Sequence, residues 1–163
     1  MFAAAAIATT DKPGFYRDLS ALLDGLLAGE RDGIANAANT AALLFQMMAD
    51  INWAGFYFLR AGTLVVGPFQ GKPACVRIAP GKGVCGAAVM RRESVLVADV
   101  HAFPGHIACD AASRSEIVVP LLRDGAVVGV LDIDSPLPAR FDAADQAGLE
   151  AIAARYLAAS DPV

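Results

Sequence analysis

The sequence predicts an α+β fold, a six-stranded antiparallel sheet flanked by helices, from three observations. Apolar residues recur at helical spacing near the two ends of the chain, with one short helix between; from Asn52 the apolar period shortens to two; and the strand candidates are mostly joined by short turns such as Ala61-Gly62 and Asp124-Gly125 instead of helical crossovers. With 163 residues, 56% of them apolar, the chain suffices for one domain with a sizeable core and is short for two. The expected division is a flexible tail over residues 1–10 and a single domain over residues 11–163.

In chain order, the opening Met1-Phe2-Ala3-Ala4-Ala5-Ala6-Ile7-Ala8 has the small residues of a signal peptide but no basic start and little apolar bulk, which reads as a tail. Asp11 and Pro13 open a first helix with Phe15, Leu19, Leu22, Leu23, Leu26 and Leu27 at helical spacing, closed at Gly29. Asp32 caps a second, whose apolar stripe is expected to be Ile34, Ala38, Ala41, Phe45 and Met48. Trp53 to Leu59 is an aromatic strand, turned by Ala61-Gly62 into Thr63 to Val66. Gly67-Pro68 and Gly71-Lys72-Pro73 bracket Phe69 and Gln70 in an expected loop. A third strand follows around Cys75 to Ile78, then a short helix from Cys85 to Met90 and a strand from Val95 to Ala98. Ile117 to Leu122 and Val127 to Ile133 form a hairpin about Asp124-Gly125. Asp142 caps a last helix with Leu149, Ile152, Ala153 and Tyr156 on one face.

Composition narrows the function classes. Thirteen basic against seventeen acidic residues, with no basic run, offer nothing to a phosphate backbone, so nucleic acid is not an expected partner. No apolar run approaches the roughly 18 residues of a spanning helix, so no membrane is expected either. Three cysteines without a secretion signal suit a reducing compartment, and the expected location is the cytoplasm.

The chemistry-bearing residues sort by strand face and by loop. Trp53, Gly55 and Tyr57 alternate onto one face, leaving either room for a small ligand between two aromatics or an ordinary packed core. Val130, Asp132 and Asp134 share a face, and Glu116 opens the preceding strand. Carboxylates crowded into a partly dry site would hold a proton near neutral pH, whereas at solvated strand ends they would not. Cys109 lies in a turn-rich loop with His106 three residues before it and Asp110 beside it. Cys85 starts a short helix, where the dipole favours thiolate. Cys75 lies on or beside a strand. A zinc site built from the three cysteines and His101 or His106 is disfavoured because no two cysteines are two to four residues apart. Gly81, Gly83 and Gly86 match a dinucleotide fingerprint, but the helix after them is short and no βαβ unit can be drawn. That turn can still offer amides to an anion such as a substrate carboxylate.

Asn52-Trp53-Ala54-Gly55-Phe56-Tyr57, Gly67-Pro68-Phe69-Gln70-Gly71-Lys72-Pro73-Ala74-Cys75, Gly83-Val84-Cys85-Gly86, Phe103-Pro104-Gly105-His106-Ile107-Ala108-Cys109-Asp110, Ser115-Glu116-Ile117 and Gly129-Val130-Leu131-Asp132-Ile133-Asp134-Ser135 together resemble the free methionine-(R)-sulfoxide reductases, a catalytic branch of the GAF-domain fold. The resemblance runs from the first helix to the last. It implies a GAF-like six-stranded sheet, and a thiol-dependent oxidoreductase that reduces free L-methionine-(R)-sulfoxide to methionine. It further implies that Cys109 attacks the sulfoxide sulfur, that Cys75 forms a disulfide with it, and that Cys85 is a third redox cysteine. Glu116, Asp132 and Asp134 are implied to hold the sulfoxide oxygen and amino group, and Trp53 and Tyr57 to receive the S-methyl. The implied cycle passes through a sulfenic acid to an intramolecular disulfide reset by thioredoxin, with no bound metal or organic cofactor. A homodimer is also implied. The competing readings are a non-catalytic GAF module binding a small ligand and a thiol-based redox sensor without substrate.

Overall fold

The computed structural model describes residue 7, residues 11–105 and residues 110–163. Asp11 accepts the Gly14 amide at 2.8 Å and Pro13 sits in the first turn, so α1 (Lys12–Leu27) starts where the sequence predicts. Asp32 likewise caps α2 (Gly33–Met47), accepting the Ile34 and Ala35 amides. The face of α2 that is buried is not the one expected. Ile34, Ala38 and Phe45 are exposed, while Asn36, Ala37, Thr40, Ala41, Leu43 and Leu44 are buried. Two polar residues can lie inside because each is bonded. Asn36 donates to Glu30 O and Ser160 Oγ, and Thr40 donates to the Asn36 carbonyl.

β1 (Trp53–Arg60) turns through Ala61 and Gly62, both at positive φ as a tight hairpin turn requires, into β2 (Thr63–Gly71). Phe69 and Gln70 therefore belong to a strand and not to the expected loop. Pairing continues because a bulge absorbs one extra residue: Tyr57 faces Val66 but Gly55 faces Phe69. Pro68 falls in that bulge, where its missing N–H does not interrupt the ladder. β3 (Arg77–Ile78) is only two residues long, and Cys75 lies in the loop before it. Then come α3 (Gly83–Arg91), β4 (Val95–Val97), a single 3-10 turn at Val100–Ala102, and the hairpin of β5 (Ser115–Arg123) and β6 (Ala126–Ser135). Asp124 and Gly125 both take positive φ in its turn. A capping box between Asp142 and Asp145 opens α4 (Ala143–Ala159).

The sheet is antiparallel throughout, in the order β3-β2-β1-β6-β5-β4. Alternation divides its side chains between two cores. Ala54, Phe56, Phe58, Ile117, Val119, Leu121, Leu131 and Ile133 face α1, α2 and α4. Trp53, Tyr57, Val118 and Val130 face the other way, toward α3, Ile78 and Val84. Of residues 1–10, for which a flexible tail is expected, Ile7 alone is described, partly buried against the helical core. Among the described residues no helix is long and apolar enough to cross a membrane.

Candidate functional site

Pairing register brings the predicted carboxylates together. Trp53 lies opposite Asp134, Gly55 opposite Asp132 and Tyr57 opposite Val130, while Glu116 lies opposite Asp134 on the other side of β6. All these side chains project from the face opposite the helical core, at the centre of the sheet. The ends of the two strands are pinned: Ser135 donates to Asp50 O, Ser115 to Leu137 O, and the Asn52 amide to Asp134 O.

α3 closes the cleft from above. Its entry uses Gly81 and Gly83, both at positive φ, and a Cβ on Gly86 would meet the Ala79 carbonyl at 2.6 Å, so the helix packs directly on the turn that precedes it. This places Cys85 over the carboxylates. Glu116 and Asp132 are each 6% exposed and Cys85 is 3% exposed; Asp134 is half-buried. Cys85 is not the dipole-favoured thiolate that its place at a helix start predicts. Burial, and then the charges of Asp132 and Glu116, push its thiol well above the ordinary range, and these outweigh the helix start.

The same burial perturbs the acids. Glu116 is raised well above the carboxylate range by desolvation and by the neighbouring charges of Asp132 and Asp134. Asp134 is raised by burial and by Asp132 and Asp110. Asp132 rises less, to about 7, because hydrogen bonds from Cys85 and Glu116 partly offset its desolvation. Desolvation thus favours the protonated form in this coupled pair of carboxyls. Asp132 Oδ1 has no hydrogen-bond partner among the described residues.

One wall is aromatic. Trp53 stacks on Tyr57, with centroids 5.8 Å apart, and on Phe69 at 5.2 Å. Of the two readings of Gly55 the packed one holds: a Cβ there would meet Phe69 Cβ at 2.3 Å and Trp53 Cη2 at 2.7 Å. Glycine is needed so that the indole can lie across the strand. Trp53 and Tyr57 both line the cleft, and their polar ends hold the Cys75 loop: Trp53 Nε1 donates to Lys72 O and the Tyr57 hydroxyl to Cys75 O. Cys75 itself is half-buried. Cys109 and His106 lie outside the described residues.

The sequence assigned no role at this site to several residues that line or border it. Lys72 and Lys82 line the cleft with Ser113 and Asp110. Asp110 accepts from Lys72 Nζ and Asn52 Nδ2, both at 3.2 Å, and from the Ala112 amide. These bonds, the backbone one foremost, hold its carboxyl below the ordinary range. Asn52 also donates to Ser113. Asp110 is next in sequence to Cys109, and this cluster ties it to the start of β1 and to the Cys75 loop. For Lys82 and Ser113 only proximity in the fold gives the signal; Asp110 was marked by its place beside Cys109, and Asn52 and Lys72 stood in the motifs of the resemblance.

Residues 30–159 match the GAF-domain family model. The free methionine-R-sulfoxide reductase of Escherichia coli (strain K12) is 54% identical over 145 residues, spanning 89% of this chain and 88% of that protein. The enzyme of the same name from Saccharomyces cerevisiae is 46% identical over 138 residues, 80% of this chain and 77% of that protein. The crystallographic structure of free methionine-R-sulfoxide reductase from Neisseria meningitidis in complex with its substrate superposes with a TM-score of 0.93 at 44% identity, covering 98% of this chain and 95% of that one. With the sheet, the carboxylate cluster and these likenesses in agreement, the chain belongs to the free methionine-R-sulfoxide reductase family of GAF domains.

Proposed function

We propose that this protein reduces free L-methionine-(R)-sulfoxide to methionine, with Cys109 as nucleophile. The observation that carries the reading is the burial of Glu116 and Asp132 side by side beneath an aromatic wall, where desolvation favours their acid forms. A sulfoxide oxygen leaves poorly until it is protonated, and a neutral carboxylic acid within the cleft supplies that proton during thiolate attack on sulfur. Methionine departs and Cys109 is left as a sulfenic acid. A second thiol condenses with it, releasing water and forming a disulfide, which halts further oxidation. The sum is one sulfoxide and two thiols giving methionine, a disulfide and water.

Cys75 is the resolving thiol in this scheme. Its partly exposed loop position supports that role better than the buried helix position of Cys85. Thioredoxin then reduces the disulfide and restores both thiols. The substrate's ammonium sits against Asp134 and Asp132. Its carboxylate sits against Lys82 and the first amides of α3, which have no acceptor within the helix. The S-methyl lies on Trp53 and Tyr57. Pairing both charged ends leaves no exit for a peptide chain, which makes the free amino acid the substrate. Such a cycle needs a thiol-reducing compartment, the cytoplasm.

The test is methionine release with thioredoxin recycling, offered the free R sulfoxide, the free S sulfoxide and a peptide sulfoxide in parallel. Turnover of the free R form alone is expected. Equal turnover of the peptide would overturn the substrate class, and no turnover of any form, even with a small dithiol, would overturn the activity. Cys109→Ser is expected to abolish turnover, whereas Cys75→Ser should release about one equivalent of methionine and then stall. Repeated turnover by the Cys75 variant would move the resolving role to Cys85.

A further inference from the structure

The acids and thiol beneath α3 also make up the donor set of a metal site. Cys85 Sγ and one oxygen each from Glu116 and Asp132 lie within 4.8 Å of one another, and all three side chains are buried. They come from three separate elements, α3, β5 and β6, so the fold itself holds them together. Asp132 Oδ1 adds an independent sign: it is buried, it has no hydrogen-bond partner among the described residues, and Asp132 lines the cleft. An orphaned carboxylate oxygen in a dry site is costly unless a cation or a donor reaches it.

We propose that Cys85, Glu116 and Asp132 form a binding site for a thiophilic divalent cation of the zinc class, and that the bound ion excludes free methionine sulfoxide from the cleft. The exclusion rests on the function read above; the ion binding does not. A tetrahedral zinc ion takes sulfur at about 2.3 Å and carboxylate oxygen at about 2.0–2.2 Å, which puts its ligand atoms roughly 3.3–3.7 Å apart. The donors therefore have to close by at most about 1.5 Å, a side-chain adjustment. They fill three corners of the tetrahedron, and the fourth faces the cleft. One sulfur and two carboxylates favour zinc or cadmium over magnesium and calcium, which seek six or more oxygens. Lys72 and Lys82 do not reverse the local sign, since Asp110, Glu116, Asp132 and Asp134 line the same cleft and Lys72 is paired with Asp110. This donor set differs from the three-cysteine and histidine site weighed from the sequence.

The probe is cobalt(II), whose sulfur-to-metal charge-transfer band and intense visible absorption report a tetrahedral thiolate site. The Cys75→Ser/Cys109→Ser protein retains Cys85 as its one thiol. It is expected to bind one cobalt per chain with both signals, and zinc should displace it. Adding Cys85→Ser should abolish the charge-transfer band, and Glu116→Gln or Asp132→Asn should weaken binding by at least about tenfold. Thermal melting establishes that each variant is folded; should Cys85→Ser melt early, the isosteric Asp132→Asn carries the same test. A cobalt signal that never saturates, or one that survives loss of Cys85, overturns the site. In the unaltered protein, assayed with thioredoxin and without chelators, zinc is expected to raise the KM for sulfoxide and leave kcat unchanged. Failure of the two readings is distinguishable: turnover without a cobalt signal defeats only the metal site, and a cobalt signal without turnover defeats only the activity.

Discussion

At Glu116 and Asp132 the chemistry depends on burial, and burial is the property that the sequence left open. Alternation along the strand put Asp132 and Asp134 on one face, with Glu116 at the mouth of the neighbouring strand. The sequence could not separate a dry cluster from solvated strand ends, because that difference lies in α3 and in the Cys75 loop folding over the sheet. Cys85 shows the opposite failure: its place at a helix start was legible, and the inference of a thiolate was wrong because the thiol is buried and acids stand beneath it. If the pair's proton is the one delivered to the sulfoxide, Glu116→Gln should lower kcat by about 10²–10⁴-fold with a smaller change in KM. It should also alter the alkaline limb of the pH profile. The acid form is lost as pH rises through the raised range of the pair, so the unaltered enzyme should decline on the alkaline side. A Gln variant with the same profile and rate would assign the proton elsewhere.

Among elements, the caps and hairpin turns were the most legible. Asp11, Asp32, Asp142, Ala61-Gly62 and Asp124-Gly125 all occur where local chemistry placed them, because each acts within a few residues of itself. Less legible was whatever depends on a distant partner. The rotated face of α2 follows from Asn36 reaching Ser160, and the continuation of β2 through Pro68 follows from a bulge that only pairing with β1 discloses. The contact between α1 and α4 belongs to the same class. Tyr16 lies across Gly148, where an added Cβ would come within 2.0 Å of the ring, and its hydroxyl bonds Asp145 at 2.9 Å. Gly148→Ala should therefore push the two helices apart and cost about 3 kcal/mol, the upper end of the usual overpacking range. Chemical denaturation measures this, and an unchanged midpoint would mean that the ring moves aside freely.

For the whole molecule, the site is a standing cost to stability that varies with pH. Asp132 titrates near 7 in the fold and near 4 when unfolded, and Glu116 is also raised well above its ordinary range. Between those values the folded chain retains a proton that the unfolded chain has released, so stability falls as pH rises through the window. The loss is up to about 1.4 kcal/mol per unit for each such group. Asp142, lowered to about 2, acts in the opposite sense but only in acid: its contribution is present above about pH 4 and fades below that. The melting temperature should therefore be higher at pH 5 than at pH 8, and the Glu116→Gln/Asp132→Asn double variant should flatten that slope. A wild-type slope of the other sign would show that the cluster is hydrated. The two-core arrangement extends this dependence to folding itself. Phe56, Leu131 and Ile133 alternate with Tyr57, Asp132 and Asp134 along the same two strands. A slip of one residue would drive the acids into the helical core and turn the aromatic and aliphatic rows outward. The reactive face and the packed face are thus read from a single alignment of chain against chain. A molecule with a misaligned β1 or β6 cannot be a partly active enzyme, and the specific activity of a preparation counts its correctly aligned molecules.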